Sequence, residues 1–214
     1  MQLVTDAGFS SSLSFRMTVD ANLADDELLH LMAAGNEQAF TVLYRRRQGA
    51  VYRFALEMSG SPAIAEDVTQ EVFMILLDEA GGYDAKRGPV ASYLYGVARH
   101  LVWRYLARRG AHCSVEEQVR EEGRTPENLI ARQEVERDLV RDEQVRALRR
   151  AVLALPGGYR EVVVLCDLHE VSYAEAARVL GCAVGTIRSR LHRARALLAE
   201  RLSAKNARPA GCLV

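Results

Sequence analysis

The stretch that most constrains the chain is SYAEAARVLGCAVGTIRSRLHRARALL, residues 172–198. Ser172 with Glu175 three positions on is a capping box, in which hydroxyl and carboxylate satisfy the free amides of a helix start. Ala176 and Ala177 let a second helix cross closely, and Gly181 permits the sharp turn between the two. Beyond it Val184, Ile187, Leu191, Ala194 and Leu198 recur at helical spacing and form one inward stripe. The segment predicts helices over about 172–180 and 184–203, arranged as a helix-turn-helix. At about 100° per residue the stripe turns Gly185, Thr186, Ser189, His192 and Arg193 outward and puts Arg188, Arg190 and Arg195 on the flanks. Such a helix fits a major groove, with outward residues at base edges and flanking arginines at phosphates. The alternative is a solvated basic face on a bundle helix, but the run lacks the interleaved acids that such a face carries.

Total charge argues the other way. Lys+Arg and Asp+Glu both number 28 in the 214 residues, so the formal net charge is zero. Resolved by segment, the nets are −1 for 1–24, −1 for 25–110, −4 for 111–140 and +6 for 141–214. The whole positive excess lies in 184–214, where seven basic residues face Glu200 alone. At 49% hydrophobic and 26% charged, the composition suits a soluble globular protein and is too apolar for a disordered one. The longest apolar run, Val72 to Leu77, is six residues, against the roughly 20 that a bilayer requires. No membrane insertion is expected, and the N-terminus lacks the basic start and apolar core of a secretory signal, so the cytoplasm is the expected location. Cys113, Cys166, Cys182 and Cys212 are scattered without a C-x-x-C pair, which predicts reduced thiols, two of them buried. His112 and Cys113 could meet Cys166 and His169 in space, but the spacing is not that of a zinc site, and neither metal nor cofactor is expected.

The remaining pattern is helical throughout, and the fold class expected is all-α. Residues 1–24 are rich in Ser and small residues and read as a disordered leader. A first domain over 25–110 is expected to hold four helices, with apolar positions at Leu28, Leu31, Met32, Phe40, Leu43, Tyr44, Val51 and Phe54. Asn36 is a helix start, Gly60-Ser61-Pro62 a stop and restart, and Gly81-Gly82 with Gly88-Pro89 bracket a loop. Residues 111–139, acidic and broken by Gly123 and Pro126, read as a flexible linker whose ends can be helical. A second domain is expected over 140–203, followed by a tail over 204–214. Within it Val162-Val163-Val164-Leu165 has strand propensity, yet no second strand exists to pair with it, so it is expected as a buried helix.

Two surfaces of the first domain stand out. The helix over 90–109 buries Leu94, Val97, Ala98, Leu101 and Tyr105, which turns Tyr95, Gly96, Arg99, His100 and Trp103 outward. Aromatic rings beside arginine suit unstacked bases, the rings stacking and the guanidinium holding phosphate; equally, Tyr95 and Trp103 could pack against the loop at 81–89 or the linker. The helix over 62–79 buries Ile64, Ala65, Val68, Val72, Ile75 and Leu76 and shows Glu66, Asp67, Gln70, Glu71 and Asp78 around Met74 and Leu77. Acids and amides around a small apolar centre make a protein-docking surface, or a solvated acidic face with two stray apolar residues.

In this order the segments resemble the extracytoplasmic-function sigma factors, the small two-domain members of the sigma-70 family. AEDVTQEVFMILL and YDAKRGPVASYLYGVARHLVWRYLARR look like sigma region 2; ALPGGYREVVVLCDLHEVSYAEAARVLGCAVGTIRSRLHRARALL looks like region 4. The resemblance covers about 25–109 and 140–203. It implies that Glu66, Asp67, Gln70, Glu71 and Met74 dock on the β′ clamp helices of RNA polymerase core, with the β flap as a further contact. It implies that Thr186, Arg188, Ser189, Arg190, His192, Arg193 and Arg195 meet the −35 promoter element. Tyr95, Arg99, His100, Trp103 and Arg104 would engage the −10 element and its non-template strand. Where the family commonly reads W-L-Y-R-I-A-R-N with an acid or amide four residues later, this chain has Tyr93, Gly96, His100 and Arg104. The preferred −10 base therefore does not transfer.

The expected function is a non-enzymatic sigma factor that gives RNA polymerase its promoter specificity, with an anti-sigma factor as a further partner by family habit. The acids of 111–140 are expected to repel duplex DNA in the absence of polymerase. Two other classes compete: a stand-alone helix-turn-helix regulator, which would need a dimer interface or ligand pocket, and a sigma mimic that sequesters an anti-sigma factor, which would have lost Arg188, Arg190, Arg193 and Arg195.

Overall fold

The computed structural model describes residues 20, 22–79, 88–110 and 132–206. All elements among the described residues are helices: α1 (Asp25–Ala33), α2 (Glu37–Ser59), α3 (Pro62–Glu79), α4 (Val90–Gly110), α5 (Arg132–Leu153), α6 (Gly157–Val163), α7 (Tyr173–Leu180) and α8 (Val184–Asn206). Most of the expected leader, the loop around Tyr83, most of the linker and the end of the tail, with Cys113 and Cys212, lie outside the described residues.

Local chemistry sets most boundaries. The Asn36 side chain accepts from the amides of Gln38 and Ala39 and starts α2. Gly60 ends α2 in the left-handed conformation at φ 71°, and Pro62 opens α3, where its missing N–H costs nothing. Ser172 and Glu175 form the reciprocal capping box, and Gly181 closes α7 at φ 63°. The run expected as a buried helix is one: Val162, Val163, Val164 and Leu165 are all buried, with α6 widening after Val163 into a π turn over Val164–Leu168. The start of α5 differs from expectation, since helix begins at Arg132 rather than near 140. No Gly or Pro falls between Pro126 and Pro156, so nothing stops the helix from extending beyond its apolar, packed part.

α1 to α4 pack around Leu28, Leu43, Phe54, Met58, Leu76, Leu94 and Leu101. α5 to α8 pack around Leu155, Val162, Leu165, Ile187 and Leu191, and the two groups meet in one continuous apolar cluster. Ile75, Val97 and Tyr105, expected to be buried, are half-buried at the edge of the first group. Cys166 and Cys182 are free thiols and half-buried rather than buried. Burial still pushes the Cys166 thiol up to about 11, which keeps it protonated and poorly nucleophilic near neutral pH.

The junction between the groups is built from helix ends. Arg160 of α6 sends its guanidinium to the carbonyl of Met58 in α2 at 2.7 Å and to those of Leu153 and Leu155 at 2.5 and 3.2 Å. Carbonyls at the ends of two helices, which lack intrahelical partners and carry the negative end of the dipole, thus converge on one cation. Burial lowers the Arg160 pKa, the direction expected for a charge taken out of water. At Gly60 a Cβ would lie 2.8 Å from Leu153 of α5. Gly60→Ala is expected to cost about 1–2 kcal/mol from the left-handed backbone, with the Leu153 contact adding to it, as a lower midpoint in urea denaturation.

Candidate nucleic-acid interface

α7 and α8 form the helix-turn-helix. Ala176, Ala177, Ile187, Leu191, Ala194 and Leu198 are buried along their contact, and Arg188, Ser189, His192, Arg193 and Arg195 are exposed on the far side. Thr186 and Arg190 are half-buried, with the Arg190 guanidinium lying over Gly158 of α6. Ser189 Oγ donates to the Thr186 carbonyl at 3.1 Å. Arg188 and Arg193 make no ion pair among the described residues and leave their full charge to an incoming polyanion. Arg195 differs: it donates to both carboxylate oxygens of Asp167, at 2.6 and 3.1 Å, and this partner holds its pKa above the usual arginine value. The acid missing from the sequence of the recognition helix is thus supplied by the π turn, a neighbour that periodicity along one helix does not show.

The outward face of α4 is where the structure corrects the sequence reading. Tyr95, expected to be exposed, is 7% exposed, and Trp103 and Arg99 are half-buried. Among the described residues these side chains meet α6, the π turn and, at Tyr95, Phe54 of α2; residues 81–87 of the loop and most of the linker lie outside the described residues. Arg99 Nε and Trp103 Nε1 both donate to Glu161 Oε1, at 2.6 and 2.7 Å. Glu161, only 5% exposed, needs those donors, because a buried carboxylate without partners is strongly unfavourable. The Trp103 ring lies against Gly157, where a Cβ would come within 2.7 Å of it.

One turn along α4, Tyr95 packs edge-on to His169, ring centroids 5.2 Å apart, and Phe54 of α2 completes a three-ring cluster at 5.2 Å from Tyr95 and 5.8 Å from His169. His169 Nε2 lies 2.8 Å from a Glu57 carboxylate oxygen and its Nδ1 lies 3.1 Å from the Tyr95 hydroxyl. A carboxylate only accepts, so Nε2 carries the proton; in the neutral ring Nδ1 then accepts from the Tyr95 O–H. Burial raises the Tyr95 pKa, which keeps that hydroxyl a donor. The π turn makes this contact possible by adding a residue to the helical turn, closed by His169 N–H to the Val164 carbonyl at 3.0 Å. His100 is exposed, and Arg104 turns to the other flank of α4, where it pairs with Glu71 of α3 and its pKa rises.

Glu71 is therefore engaged within the fold, and the Tyr105 hydroxyl donates to it as well at 3.4 Å. The rest of the α3 face is open. Glu66, Asp67 and Gln70 are exposed around Met74 at 64% and Leu77 at 49% exposure. A cavity of about 400 Å³ between α2 and α3 adjoins this face, lined by Tyr44, Arg45, Tyr52, Glu66 and Gln70 among others. Glu57, Arg160 and Glu161 escaped the sequence reading, and His169 entered it only beside Cys166 as a metal candidate. The available signal was an Arg-Glu pair set directly against a fully apolar run in a helix, which places at least one charge at the edge of a core.

Comparison with known proteins agrees with this architecture. Residues 43–112 match the family model for sigma-70 region 2, and residues 145–198 match that for sigma-70 region 4. The chain is 33% identical to the ECF RNA polymerase sigma factor SigC of Mycobacterium tuberculosis, over 84% of this chain and 95% of SigC. Identity is also 33% with SigM of the same species, over 86% of this chain and 87% of SigM. With SigE of Mycolicibacterium smegmatis it is 33%, over 75% of this chain and 60% of SigE, so the chain spans less than two thirds of that relative. Among solved structures, CnrH in complex with the cytosolic domain of CnrY superposes with a TM-score of 0.62 at 26% identity, covering 85% of this chain and 99% of CnrH. Two helical units in this order, at this identity and over nearly the full length of such relatives, place the chain in the extracytoplasmic-function group of the sigma-70 family.

Proposed function

We propose that the chain is an RNA polymerase sigma factor whose three faces divide the work of promoter recognition and initiation. The observation that carries this reading is α8: a capped, sharply turned recognition helix whose unpaired Arg188 and Arg193 project to solvent on one face with Ser189 and His192. That face enters the major groove at the −35 element, where Arg188, Ser189, His192 and Arg193 reach base edges and Thr186, Arg190 and Arg195 meet the backbone. α3 docks on polymerase core at the β′ clamp helices through Glu66, Asp67 and Gln70 around Met74, and Glu71 braces Arg104 from behind. α4 engages the −10 element through Tyr95, Arg99, His100, Trp103 and Arg104 once these side chains are free. The domain limits 25–110 and 140–203 follow the same division. With each DNA contact weak alone, the chain between them makes the second contact intramolecular and the pair strong. The protein supplies recognition and no catalytic chemistry of its own, works in the cytoplasm, and is held in check by an anti-sigma factor. No described helix is long and apolar enough to cross a membrane.

A stand-alone regulator would bind duplex DNA and yield no transcript, and a sigma mimic would bind no DNA; run-off transcription with purified core polymerase separates all three. A transcript that appears only on adding the chain supports the proposal. In that assay Arg193→Ala is expected to lose about 1–3 kcal/mol of promoter binding on a matched −35 sequence, and equal loss on a scrambled −35 element would make it a phosphate contact. Met74→Asp is expected to weaken core association by about 1–2 kcal/mol, read by size-exclusion titration against core, with duplex affinity unchanged. Trp103→Ala holoenzyme is expected to open promoters more slowly, by about tenfold if one base-stacking contact is lost, while closed-complex binding is kept; permanganate footprinting reads the opening rate.

A further inference from the structure

Arg188, His192 and Arg195 stand at i, i+4 and i+7 and line one edge of α8, all three exposed. Arg188 makes no ion pair among the described residues, whereas Arg195 donates from Nε and Nη2 to the two carboxylate oxygens of Asp167, at 3.1 and 2.6 Å. This side-on grip leaves the Nη1 donors for a second acceptor. The hydroxyl of Tyr173, the first residue of α7, adds a smaller interaction with the same guanidinium. The Arg195 side chain nevertheless stays 56% exposed, against 25% for Asp167. Asp167 is itself fixed. It sits in the π turn, which is tied by His169 N–H to the Val164 carbonyl at 3.0 Å and by Val171 N–H to the Leu165 carbonyl at 2.9 Å, with Val164 and Leu165 buried. A bridge as exposed as this adds little to stability. What it does fix is the direction of a long side chain with many rotamers of its own.

We infer that Asp167 is a positioning residue for DNA binding: it presets Arg195 as a phosphate clamp at the edge of the recognition helix, so that α8 enters the groove in one register. This rests on the assignment of α8 to the −35 element, and it adds to that reading a residue that touches no DNA. In a helix-turn-helix the first helix crosses the backbone while the second reads the bases, and the pair of Asp167 and Arg195 lies beside Tyr173, where the first helix begins. Phosphate contacts set register and orientation, and base contacts specify sequence. The unpaired Arg188 and Arg193 are free to adapt to base edges, whereas Arg195 has its direction chosen before DNA arrives and loses less rotamer freedom on binding. A carboxylate close to DNA also repels phosphate, so the two roles open to Asp167 predict opposite signs. If it only offsets the charge of Arg195, its removal tightens binding; if it presets the guanidinium, its removal weakens binding.

The probe is a duplex promoter enriched by the wild-type holoenzyme from a randomised pool, and its binding to holoenzyme made with the full-length chain is read by fluorescence anisotropy. Asp167→Ala is expected to bind it about three- to tenfold more weakly, the scale of one flexible side chain left to be ordered on binding. The same fold-loss should appear on a scrambled −35 element, because a phosphate is held and no base is read. Asp167→Asn keeps an acceptor oxygen for the guanidinium and should recover part of the loss. In an Arg195→Ala background, Asp167→Ala should lose nothing further. Arg195→Lys keeps the charge at an exposed position and gives up the fork; it should fall as far as Asp167→Ala, and it carries the test if Asp167→Ala does not melt cooperatively. Wild-type or tighter binding by Asp167→Ala would mean that the acid only offsets charge. A further loss in the Arg195→Ala background would mean that it acts through the fold, and wild-type affinity in Arg195→Lys would make orientation immaterial. A loss confined to the matched −35 element would make Arg195 a base contact and overturn the clamp as well. Failure of the −35 reading looks different: the wild-type holoenzyme would enrich no −35 sequence from the pool, and the inference would fall with it.

Discussion

A carboxylate almost entirely removed from water must find donors, and Glu161 finds them on a helix about sixty residues earlier in the chain, in Arg99 and Trp103. The rest of the arrangement follows from that pairing. It brings α6 against α4, seats the indole over Gly157, and sets the π turn where His169 links Tyr95 to Glu57. Arg160, next to Glu161, faces the opposite way and gathers the carbonyl ends of α2 and α5. Two adjacent charged residues, pointing to different sides of one short helix, thus tie α6 to α4 on one side and to α2 and α5 on the other.

The consequence for function lies in what each face is left to do. On α8 Arg195 is held by Asp167 and Arg201 donates to the Ala151 carbonyl, while Arg188 and Arg193 make no ion pair among the described residues. On α3 Met74 and Leu77 stay open among acids and amides, while Glu71 is used internally to steady Arg104. On α4 the aromatic and cationic side chains that suit an unpaired strand are turned into an interior contact. The helix-turn-helix face and the acidic, partly apolar face of α3 are thus open in this structure, while the aromatic face of α4 is covered. The zero net charge has the same character: the positive excess is confined to 184–214, and most of the negative excess, −4 of −6, lies in 111–140.

Features that depend on neighbours along the chain were legible in the residues. Asn36 as a cap, Gly60 with Pro62 as a break, the Ser172 and Glu175 box and Gly181 as a turn all rest on hydrogen bonds or dihedral angles within a few residues, and each stands where the sequence places it. The alternation of α4 was legible too, in that Leu94, Ala98 and Leu101 are buried. What covered its other side was not. Amphipathic periodicity distinguishes two faces of a helix and is silent on whether the second meets water or another element, so Tyr95 and Trp103 read as exposed when α6 and the π turn lie over them. That the linker's end can be helical was legible, but the exact start of α5 was not, because apolar period marks where a helix packs, and Arg132 to Val140 is helical without that mark.

The amino-acid sequence by itself determined the approximate places of the helices among the described residues, the helix-turn-helix with its outward arginines, and a family resemblance that the comparisons bear out. Only the tertiary structure decided which of the outward faces remain outward. For Arg99 and Trp103 the deciding neighbour is a buried acid: Glu161 is one residue among 28 Asp and Glu in the sequence, and nothing in its local context names its partners. The cost of an unpaired charge in a low-dielectric interior is paid only when distant helices meet, and so the partner is chosen by packing and not by spacing along the chain.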